Sequence, residues 1–369
     1  MKHTPLIEQH RAHGAKLVDF AGWEMPIQYG SVVDEYQTVR SAAGIFDVSH
    51  MGRVTVSGPG SLAFLQRMTT NNVSALATGQ AQYSMVCNDH GGIKDDIFVY
   101  RTADTEYLLC VNASNREKIF TWLSDHLNTD ARCKLEDRTA MLAQIAIQGP
   151  ASGDILAAAG AEDIGRLKLH HCCDSRIAGI GCFVARTGYS GELGYELNVA
   201  SGQAVELWQR LLRAGAAKGL KPAALGARDL LRLEMAYLLY GNDISEDTTP
   251  LEANAGWTVD FDKGEFHGRP GLHLQTQSGP PRQLIAFELL EKSVPRHGFR
   301  ILAPGSSQPL GEVTSGNLSP LLQKGIGLGY VPPGFAKAGT AIAIDIRGKI
   351  IPAVTVKPPF YRKRKPAQH

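Results

Sequence analysis

One segment, Gly91–Tyr100 (GGIKDDIFVY), places two neighbouring carboxylates at the start of an apolar, β-prone run. The Gly-Gly pair favours a turn, and the residues after Asp96 favour a strand. Because side chains alternate along a strand, Asp95 and Asp96 are predicted to point to opposite faces of the sheet. An unpaired charge is costly to bury, so a carboxylate on the covered face needs polar partners or a function. The alternative is an aspartate that closes a hairpin through an Asx turn.

Length and composition are typical of a soluble protein with more than one domain. The chain has 369 residues, which exceeds one ordinary hydrophobic core, so two or three domains are expected. Its residues are 43% hydrophobic and 20% charged, as in soluble globular proteins. The net charge of +2 gives no support for a nucleic-acid partner or a membrane surface.

The N-terminal segment favours a cytoplasmic location. It lacks the apolar stretch of a signal peptide, and no run of roughly 18 apolar residues occurs in the chain. The six cysteines lack C-x-x-C spacing and are expected to be reduced, buried thiols. The segment His170–Asp174 (HHCCD) suggests a metal site, but consecutive residues seldom ligate one ion, so no metal is predicted.

The spacing of apolar residues predicts four helices. One covers Ser31–Ala43, and the pattern Ser114–Glu117 resembles a capping box at the start of another. A third covers 202–214. The strongest covers 227–239, with Gly241 placed to end it.

Strand-like segments lie between these helices, at 53–57, 83–87, 93–100, 106–111, 142–148 and 178–186. They do not alternate regularly with helices as in a parallel βαβ sheet, so the pattern favours an α+β fold. Gln277–Pro281 resembles a linker. Strand-like segments then recur at 283–289, 310–314, 325–330, 340–346 and 350–356. This last part is predicted to be a small all-β barrel or sandwich.

Three short motifs lack part of the pattern that they suggest. Gly58–Ala63 resembles a dinucleotide-binding turn, but a proline occupies the turn and no acidic residue lies about 20 positions on. Gly188–Glu192 resembles a nucleophile elbow, but Glu192 stands where the last glycine belongs. His10 and His13 could share one face of a helix, and they are interpreted as an exposed pair.

Polar residues in glycine-rich or apolar surroundings point to a ligand. In Arg186–Glu196 the glycines would let the backbone approach a ligand, Tyr189 offers a flat face and Glu196 a carboxylate. The alternative is a tight turn with a surface glutamate. Arg228 suits a carboxylate nearby or in a ligand, although an ion pair within its helix is an equal alternative. Together these features favour a flat, heteroaromatic, partly anionic ligand.

Several longer motifs carry a resemblance to one known family. They are Asp19–Pro26 (DFAGWEMP), Gly44–Gly52 (GIFDVSHMG), Gly91–Asp96 (GGIKDD), Arg186–Glu192 (RTGYSGE), Leu225–Asp229 (LGARD), Thr314–Pro320 (TSGNLSP) and Lys357–Arg362 (KPPFYR). In these motifs the chain resembles the T-protein family of the glycine cleavage system, which are tetrahydrofolate-dependent aminomethyltransferases. The similarity extends over nearly the whole chain.

The resemblance implies an α+β fold with three domains in a cloverleaf around a folate pocket. The folate-binding aminomethyltransferase region would cover 1–276 as two intertwined lobes, with the inner lobe at roughly 53–140. Residues 277–282 would form a linker and residues 283–369 the C-terminal β-barrel.

The resemblance also implies the site residues. The catalytic aspartate of the family maps to Asp96, the second of the pair. Folate contacts map to eight further positions: Met51, Tyr83, Asn112, Tyr189, Glu196, Arg228, Tyr237 and Arg362. Tetrahydrofolate is the implied cofactor, as a co-substrate, and no metal is implied.

Two residues depart from the family pattern. Lys94 stands where the family usually has an apolar residue. Since Lys94 and Asp96 are two positions apart in a strand, Lys94 is expected to neighbour Asp96, or else to be solvated at the pocket mouth. Cys172 stands where relatives often carry an aromatic residue, which leaves the packing of the protein around this position undefined.

The implied reaction is the transfer of a one-carbon unit from an aminomethyl adduct on the lipoyl arm of the H protein to tetrahydrofolate. Its products would be 5,10-methylenetetrahydrofolate, ammonia and the reduced lipoyl carrier. Neither a nucleic acid nor a membrane is an expected partner. The alternatives are a folate-dependent demethylase on the same scaffold, a non-catalytic folate-binding factor, or an oxidase fragment that would need a flavoprotein partner.

Overall fold

The structure is a computed structural model that describes residues 1–127, 132–162 and 164–362. The chain divides into two units. The first comprises Met1–Arg228 and Trp257–His273, and the second comprises Asp229–Gly256 and Leu274–His369.

The described residues form eight α-helices. They are α1 (Ile7–Ala12), α2 (Val32–Ser41), α3 (Ser61–Met68), α4 (Arg116–Asp125), α5 (Ser152–Ala158), α6 (Ala204–Gly215), α7 (Leu225–Glu234) and α8 (Arg269–Ser278). Helix α6 is amphipathic, because Leu207, Trp208 and Leu211 recur at helical spacing and are fully buried. This helix confirms the one predicted at 202–214. None of the helices in these residues is long and apolar enough to cross a membrane.

The first unit contains thirteen strands in its described part. They are β1 (Lys16–Phe20), β2 (Trp23–Gln28), β3 (Ala43–Asp47), β4 (Gly52–Ser57), β5 (Ala81–Cys87), β6 (Ile93–Ala103), β7 (Glu106–Val111), β8 (Lys134–Asp137), β9 (Leu142–Gln148), β10 (Cys172–Ile177), β11 (Ile180–Ala185), β12 (Gly194–Ala200) and β13 (Leu220–Pro222). The six strand-like segments predicted before residue 277 correspond to β4, β5, β6, β7, β9 and β11.

These strands form a two-stranded pair and two larger sheets. The six-stranded sheet has the order β10-β11-β12-β9-β3-β13, with only β13 and β3 parallel. The five-stranded sheet has the order β5-β6-β7-β4-β8 and is antiparallel throughout. The chain leaves the six-stranded sheet after β3, forms the whole five-stranded sheet, and returns at β9.

Each of the two sheets buries one face under helices. Ile145 and Leu197 of the six-stranded sheet belong to one buried cluster with Trp208 of α6. In the five-stranded sheet, Ile97 belongs to a cluster with Phe64 of α3. Burying one such side chain is worth roughly 1.5–3 kcal/mol, so these clusters hold the helices against the sheets.

The other faces of the two sheets meet each other. Tyr100 and Leu108 of the five-stranded sheet belong to one buried cluster with Cys172 and Ala185 of the six-stranded sheet. Cys172, which departs from the family pattern, is therefore a buried residue of the wall between the sheets. This contact fixes β6 of one sheet relative to β11 of the other, and both strands lead into the candidate site.

The second unit contains a closed β-barrel, which confirms the barrel predicted after residue 283. Its strands are β14 (Gln283–Leu289), β15 (Arg300–Leu302), β16 (Pro309–Ser319), β17 (Lys324–Val331), β18 (Ala341–Ile346) and β19 (Lys349–Val356), in the order β14-β17-β16-β15-β18-β19. Ile342 and Ile344 alternate into the barrel core, as the sequence pattern predicted. The predicted α+β class is likewise confirmed by the mixture of helices and antiparallel sheets.

Three details of the sequence prediction were wrong. Helix α4 is not capped by Ser114; it begins at Arg116, and the Asn115 side chain donates a hydrogen bond to Asp95 instead. Helix α7 ends at Glu234, five residues before the predicted end, because Ala236 adopts a φ of 54°. His10 is not exposed; it is fully buried and hydrogen-bonded to a buried carboxylate.

Lys263 caps the end of helix α3 from a distant part of the chain. Its partly buried ammonium donates hydrogen bonds to the carbonyls of Gln66, at 2.6 Å, of Asn71, at 3.1 Å, and of Thr69. The last carbonyls of a helix have no partner within the helix, so a cation at this place satisfies them. This cap also fixes the loop that leads from α3 to β5.

We expect Lys263→Met to destabilise the protein by about 1–3 kcal/mol, because it leaves partly buried carbonyls without a donor. Urea unfolding followed by circular dichroism would measure this loss. Lys218→Met is a matched control, since Lys218 is exposed, and its effect is expected to be within about 0.5 kcal/mol of zero. Equal stability of the two variants would show that the cap contributes nothing.

Candidate functional site

Asp96 lies in strand β6 with its carboxylate held by two neighbouring side chains. The Tyr83 hydroxyl donates to Oδ2 at 2.8 Å, and the Asn112 amide donates to Oδ1 at 2.7 Å. Asp96 is half-buried, so its carboxylate combines fixed orientation with access from outside. Three of the predicted site residues are thereby brought into direct contact.

Asp95, next to it, is fully buried and surrounded by donors. The Asn112 backbone and side chain donate to it at 3.0 and 2.8 Å, and the Asn115 amide donates at 2.6 Å. Burial, and to a smaller extent the neighbouring charge of Asp96, together raise the pKa of Asp95 to about 7. The two carboxylates therefore resist carrying two full negative charges at once.

The hairpin before Asp95 closes without help from either aspartate. Asn88 accepts hydrogen bonds from the backbones of His90, at 3.1 Å, and Gly92, at 2.9 Å, while Gly91 adopts a φ of 91°. The Asx turn that the sequence offered as an alternative role for the aspartates is thus made by Asn88. Neither Asp95 nor Asp96 is therefore needed to close this turn.

Lys94 does not share the face of Asp96, contrary to the spacing argument. Strand pairing shifts here, because Ile93 pairs with Cys87 and Asp95 with Val86, which leaves Lys94 in a bulge. The Lys94 ammonium lies 4.4 Å from the centre of the Trp122 ring. The bulge therefore directs this cation toward an aromatic ring that packs against the helical side of the sheet.

The glycines of Arg186–Glu196 make room for a side chain of the protein. A Cβ at Gly188 or Gly194 would meet the Gln148 side chain at 2.0 or 2.3 Å. Gln148 in turn accepts from the Ser190 hydroxyl at 2.8 Å. The expected close approach is therefore to Gln148, and it fixes the shape of the loop.

Glu196 is a buried carboxylate, not the surface residue of the alternative interpretation. It is 8% exposed and accepts a hydrogen bond from the Thr187 hydroxyl. Burial raises the pKa of Cys110 to about 12, and the charge of Glu196 acts in the same direction. The same two causes raise the pKa of Tyr100.

Tyr189 and Arg228 are in contact. The Arg228 guanidinium lies 4.7 Å from the centre of the Tyr189 ring, in the range of a cation–π interaction. Arg228 thus does not form the intrahelical ion pair of the alternative interpretation; Asp229 pairs with Arg232 at 2.8 Å. A flat aromatic face and a cation stand side by side here.

Met51 lies in the turn between β3 and β4. This turn is tied down by the fully buried Arg53, which donates to the carbonyls of Met51, of Ser49, at 3.0 Å, and of Leu142, at 2.7 Å. Burial lowers the pKa of Arg53 to about 10, so it keeps its charge at neutral pH. The position of Met51 is consequently set by the backbone around it.

Tyr237 and Arg362 belong to the second unit. Tyr237 is 37% exposed and follows α7, where its carbonyl accepts from Arg232 at 3.1 Å. Arg362 is exposed at the end of the described residues. Their assignment to a folate site stays a prediction.

Sequence reasoning missed two residues near Asp96. The first is Asn115, which lies in the capping-box pattern but donates its amide to Asp95. The second is Trp257, which stacks on Tyr83 at 5.7 Å between ring centres. The sequence feature that could have indicated Trp257 as a site residue is a lone tryptophan in a polar loop.

A cleft of about 1030 Å³ lies elsewhere in the first unit, with Leu108 and Phe183 among its lining residues. Neither Asp96 nor any other predicted site residue lines this cleft. Within the residues that the structure describes, no group of three or more His, Cys, Asp or Glu side chains is arranged to hold a metal ion. All six cysteines are free thiols.

Comparison with known proteins gives concordant matches. The GCVT N-terminal domain model matches residues 6–263, and the glycine cleavage T-protein C-terminal barrel domain model matches residues 282–362. An aminomethyltransferase from Halothermothrix orenii is 47% identical over 360 residues, covering 98% of this chain and 100% of the relative. One from Bacillus cereus (strain AH187) is 43% identical over 367 residues, covering 99% of both chains. The crystal structure of glycine cleavage system aminomethyltransferase T from Bartonella henselae is 33% identical, with a TM-score of 0.92 over 98% of each chain.

The raised pKa of Asp95 predicts a pH dependence of stability. The pKa is about 7 in the folded chain and roughly 3.9 in an unfolded one, so folding takes up a proton between these values. The stability contributed by protonated Asp95 is present below about pH 4 and lost as pH rises through about 7. We expect Asp96→Asn to weaken this loss, because it removes the like charge.

The measurement is urea unfolding of both proteins across about pH 5–8. The unmodified protein should lose more stability over this range than Asp96→Asn. Comparing the two proteins cancels the opposite contribution of His50, whose burial lowers its pKa to about 3. A difference in stability that does not change with pH would contradict the prediction.

Proposed function

The chain belongs to the glycine cleavage T-protein family of aminomethyltransferases, and we propose that it transfers the methylene carbon of an aminomethyl-lipoyl carrier to tetrahydrofolate. The single observation that carries this proposal is the half-buried Asp96 carboxylate, oriented by Tyr83 and Asn112 beside a second, fully buried carboxylate. The carrier is the lipoylated H protein of the same system.

The reaction exchanges bonds at one carbon without oxidation or reduction. Two N–H groups of tetrahydrofolate are replaced by bonds to the methylene carbon, while the carbon's bonds to sulfur and to the amino nitrogen break. One of the released protons goes to the lipoyl sulfur and the other to ammonia. The protein therefore has to hold the folate nitrogens at the carbon and help protons move, which are effects of proximity and general acid–base catalysis.

Asp96 suits both of these tasks. Its orientation is fixed before the substrate arrives, because Tyr83 and Asn112 hold one oxygen each. A carboxylate in hydrogen-bond reach of a folate N–H positions that nitrogen and can take up its proton. Its negative charge also favours an iminium cation at the methylene carbon.

Asp95 contributes through its electrostatic coupling to Asp96 and through the hydrogen-bond donors that the two carboxylates share. Since the pair resists a second negative charge, a proton released by the substrate is readily accepted by the pair. The raised pKa of Asp95 reflects this resistance. The Asn112 amide joins both carboxylates, so it keeps their spacing while the charge changes.

The remaining predicted residues suit the flat, partly anionic shape of a reduced folate. Glu196 is a buried acceptor for N–H groups of the pterin ring, and Tyr189 offers an aromatic face. Arg228 supplies a positive charge beside that face. The resemblance also assigns folate contacts to Met51, Tyr237 and Arg362.

The decisive experiment mixes the protein with tetrahydrofolate and aminomethylated carrier protein and measures methylenetetrahydrofolate and ammonia. We expect Asp96→Asn to lower turnover by about 10²–10⁴-fold while leaving folate affinity within a few-fold, because general acid–base help is typically of this size. The Asp96→Asn variant keeps the shape of the side chain, and its circular dichroism spectrum, which should match that of the unmodified protein, checks that it is folded. Turnover within about tenfold of the unmodified protein would overturn the role of Asp96.

The same mixtures distinguish a demethylase on this scaffold. A demethylase would leave the aminomethylated carrier unchanged and would transfer a methyl group to tetrahydrofolate from a sulfonium, methoxyaryl or N-methyl donor. Formation of methylenetetrahydrofolate with ammonia excludes that outcome, and its absence together with methyl transfer would replace the proposed function.

Arg228→Ala should mainly weaken binding of tetrahydrofolate. A charge-assisted contact is worth about 1.5–3 kcal/mol, which corresponds to roughly 10–150-fold in the dissociation constant. Isothermal titration with tetrahydrofolate would measure it, with Arg176→Ala as a control at an exposed arginine. A loss of turnover at saturating folate, with unchanged affinity, would assign Arg228 a different role.

A further inference from the structure

Trp257 is unusually exposed for a residue in a fixed position. Its side chain is 68% accessible to solvent. One side of the indole stacks on Tyr83, with ring centres 5.7 Å apart and an angle of 26° between the planes. Large aromatic side chains contribute most when they are buried, so an exposed, oriented indole forgoes much of that gain unless a ligand covers it.

The backbone around Trp257 is tied to strand β5 through one buried residue. The Thr70 hydroxyl donates to the Thr258 carbonyl at 2.8 Å, and the Asp260 backbone donates to the Thr70 carbonyl at 3.0 Å. Thr70 also donates its backbone N–H to the Met85 carbonyl at 2.9 Å. Trp257 is therefore held in place relative to β5, the strand that carries Tyr83.

Tyr83 connects this indole to the reactive carboxylate. Its hydroxyl donates to Asp96 at 2.8 Å, and its ring lies beside Phe98, at 5.7 Å between centres, as well as beside Trp257. The tyrosine is thus held through its ring and its hydroxyl. The exposed part of the indole lies one aromatic ring away from the group that binds Asp96.

On the basis of the proposed function, we infer that Trp257 is a substrate-contact residue whose exposed indole stacks against the p-aminobenzoyl ring of tetrahydrofolate. That ring is bonded directly to one of the two nitrogens that the methylene carbon bridges. A nitrogen held at Asp96 therefore brings a flat aromatic ring to within about one ring's width of Tyr83 and Trp257. Offset stacking between aromatic rings is favourable at centre distances of about 4.5–7 Å.

The chemistry of the two substrates favours folate over the carrier at this residue. The lipoyl arm is a flexible aliphatic chain, and it gains no stacking from a flat indole face. A rigid aromatic ring gains stacking and loses little conformational freedom. Trp257 is then a specificity residue for folate and affects the carrier only indirectly.

Steady-state kinetics with both substrates tests this inference. We expect Trp257→Ala to raise KM for tetrahydrofolate about tenfold, with kcat and KM for the aminomethylated carrier within about twofold, because stacking and contact area are lost. Trp257→Phe keeps an aromatic face and should stay within about threefold of the unmodified protein. Met141→Ala, at another exposed apolar residue, is the control and should change neither KM.

Fluorescence gives a second readout that a structural role would not move. Tetrahydrofolate should quench the tryptophan emission of the unmodified protein, and most of that quenching should disappear in Trp257→Phe at saturating folate. A raised KM for the carrier with an unchanged KM for folate would overturn the inference. A loss of thermal stability in Trp257→Ala that accounts for the changes in both KM and quenching would also overturn it. If the unmodified protein neither binds nor consumes tetrahydrofolate, the proposed function fails as well. If the unmodified protein binds and consumes tetrahydrofolate and Trp257→Ala has the same kinetics, only the present inference fails.

Discussion

The burial of one carboxylate, Asp95, is the constraint on which the site depends. A fully buried carboxylate is costly unless several donors surround it, and here the donors come from Asn112 and Asn115. Those two residues mark the end of β7 and the start of α4. The requirement of Asp95 for partners thus fixes the loop after β7, and the Asn112 amide in that loop orients Asp96.

The same principle recurs in the loops around the site. Buried or partly buried polar side chains hold these loops by donating to backbone carbonyls. Arg53 does so for the turn that carries Met51, and Lys263 does so for the loop that leads to β5. Gln148 fills the space left by Gly188 and Gly194 and so shapes the loop before Glu196. Loops held in this way present side chains with the accuracy that catalysis requires.

Local patterns in the sequence predicted the fold well where they were long and regular. The barrel followed from alternating residues such as Ile342 and Ile344, and α6 followed from helical spacing. Strands β8, β13 and β15 were missed because segments of three or four residues carry too little periodicity. The longer strands β1, β2, β3 and β10 were missed as well. The early end of α7 depends on a positive φ at Ala236, which no local preference for alanine would suggest.

The positions of the site residues depend more on pairing between strands than on the spacing of neighbouring residues in the sequence. The position of Lys94 could not be inferred from its spacing to Asp96, because a bulge opposite Val86 and Cys87 breaks the alternation. Asn115 and Trp257 were missed for a related reason. Their contacts with Asp95 and Tyr83 join residues that are distant in the chain and are set by tertiary structure.

The insertion of the five-stranded sheet between β3 and β9 has a consequence for synthesis on the ribosome. Strand β3 ends at Asp47, but its partner β9 begins at Leu142, so a growing chain exposes an unpaired edge of β3 until that partner emerges. Two of the four pairings among the inserted strands, β5 with β6 and β6 with β7, join neighbours in the chain, and the inserted sheet is complete at Asp137. Because the chain leaves the ribosome from its N-terminus, synthesis favours assembly of the five-stranded sheet before the six-stranded sheet, whose strands flank it in the sequence.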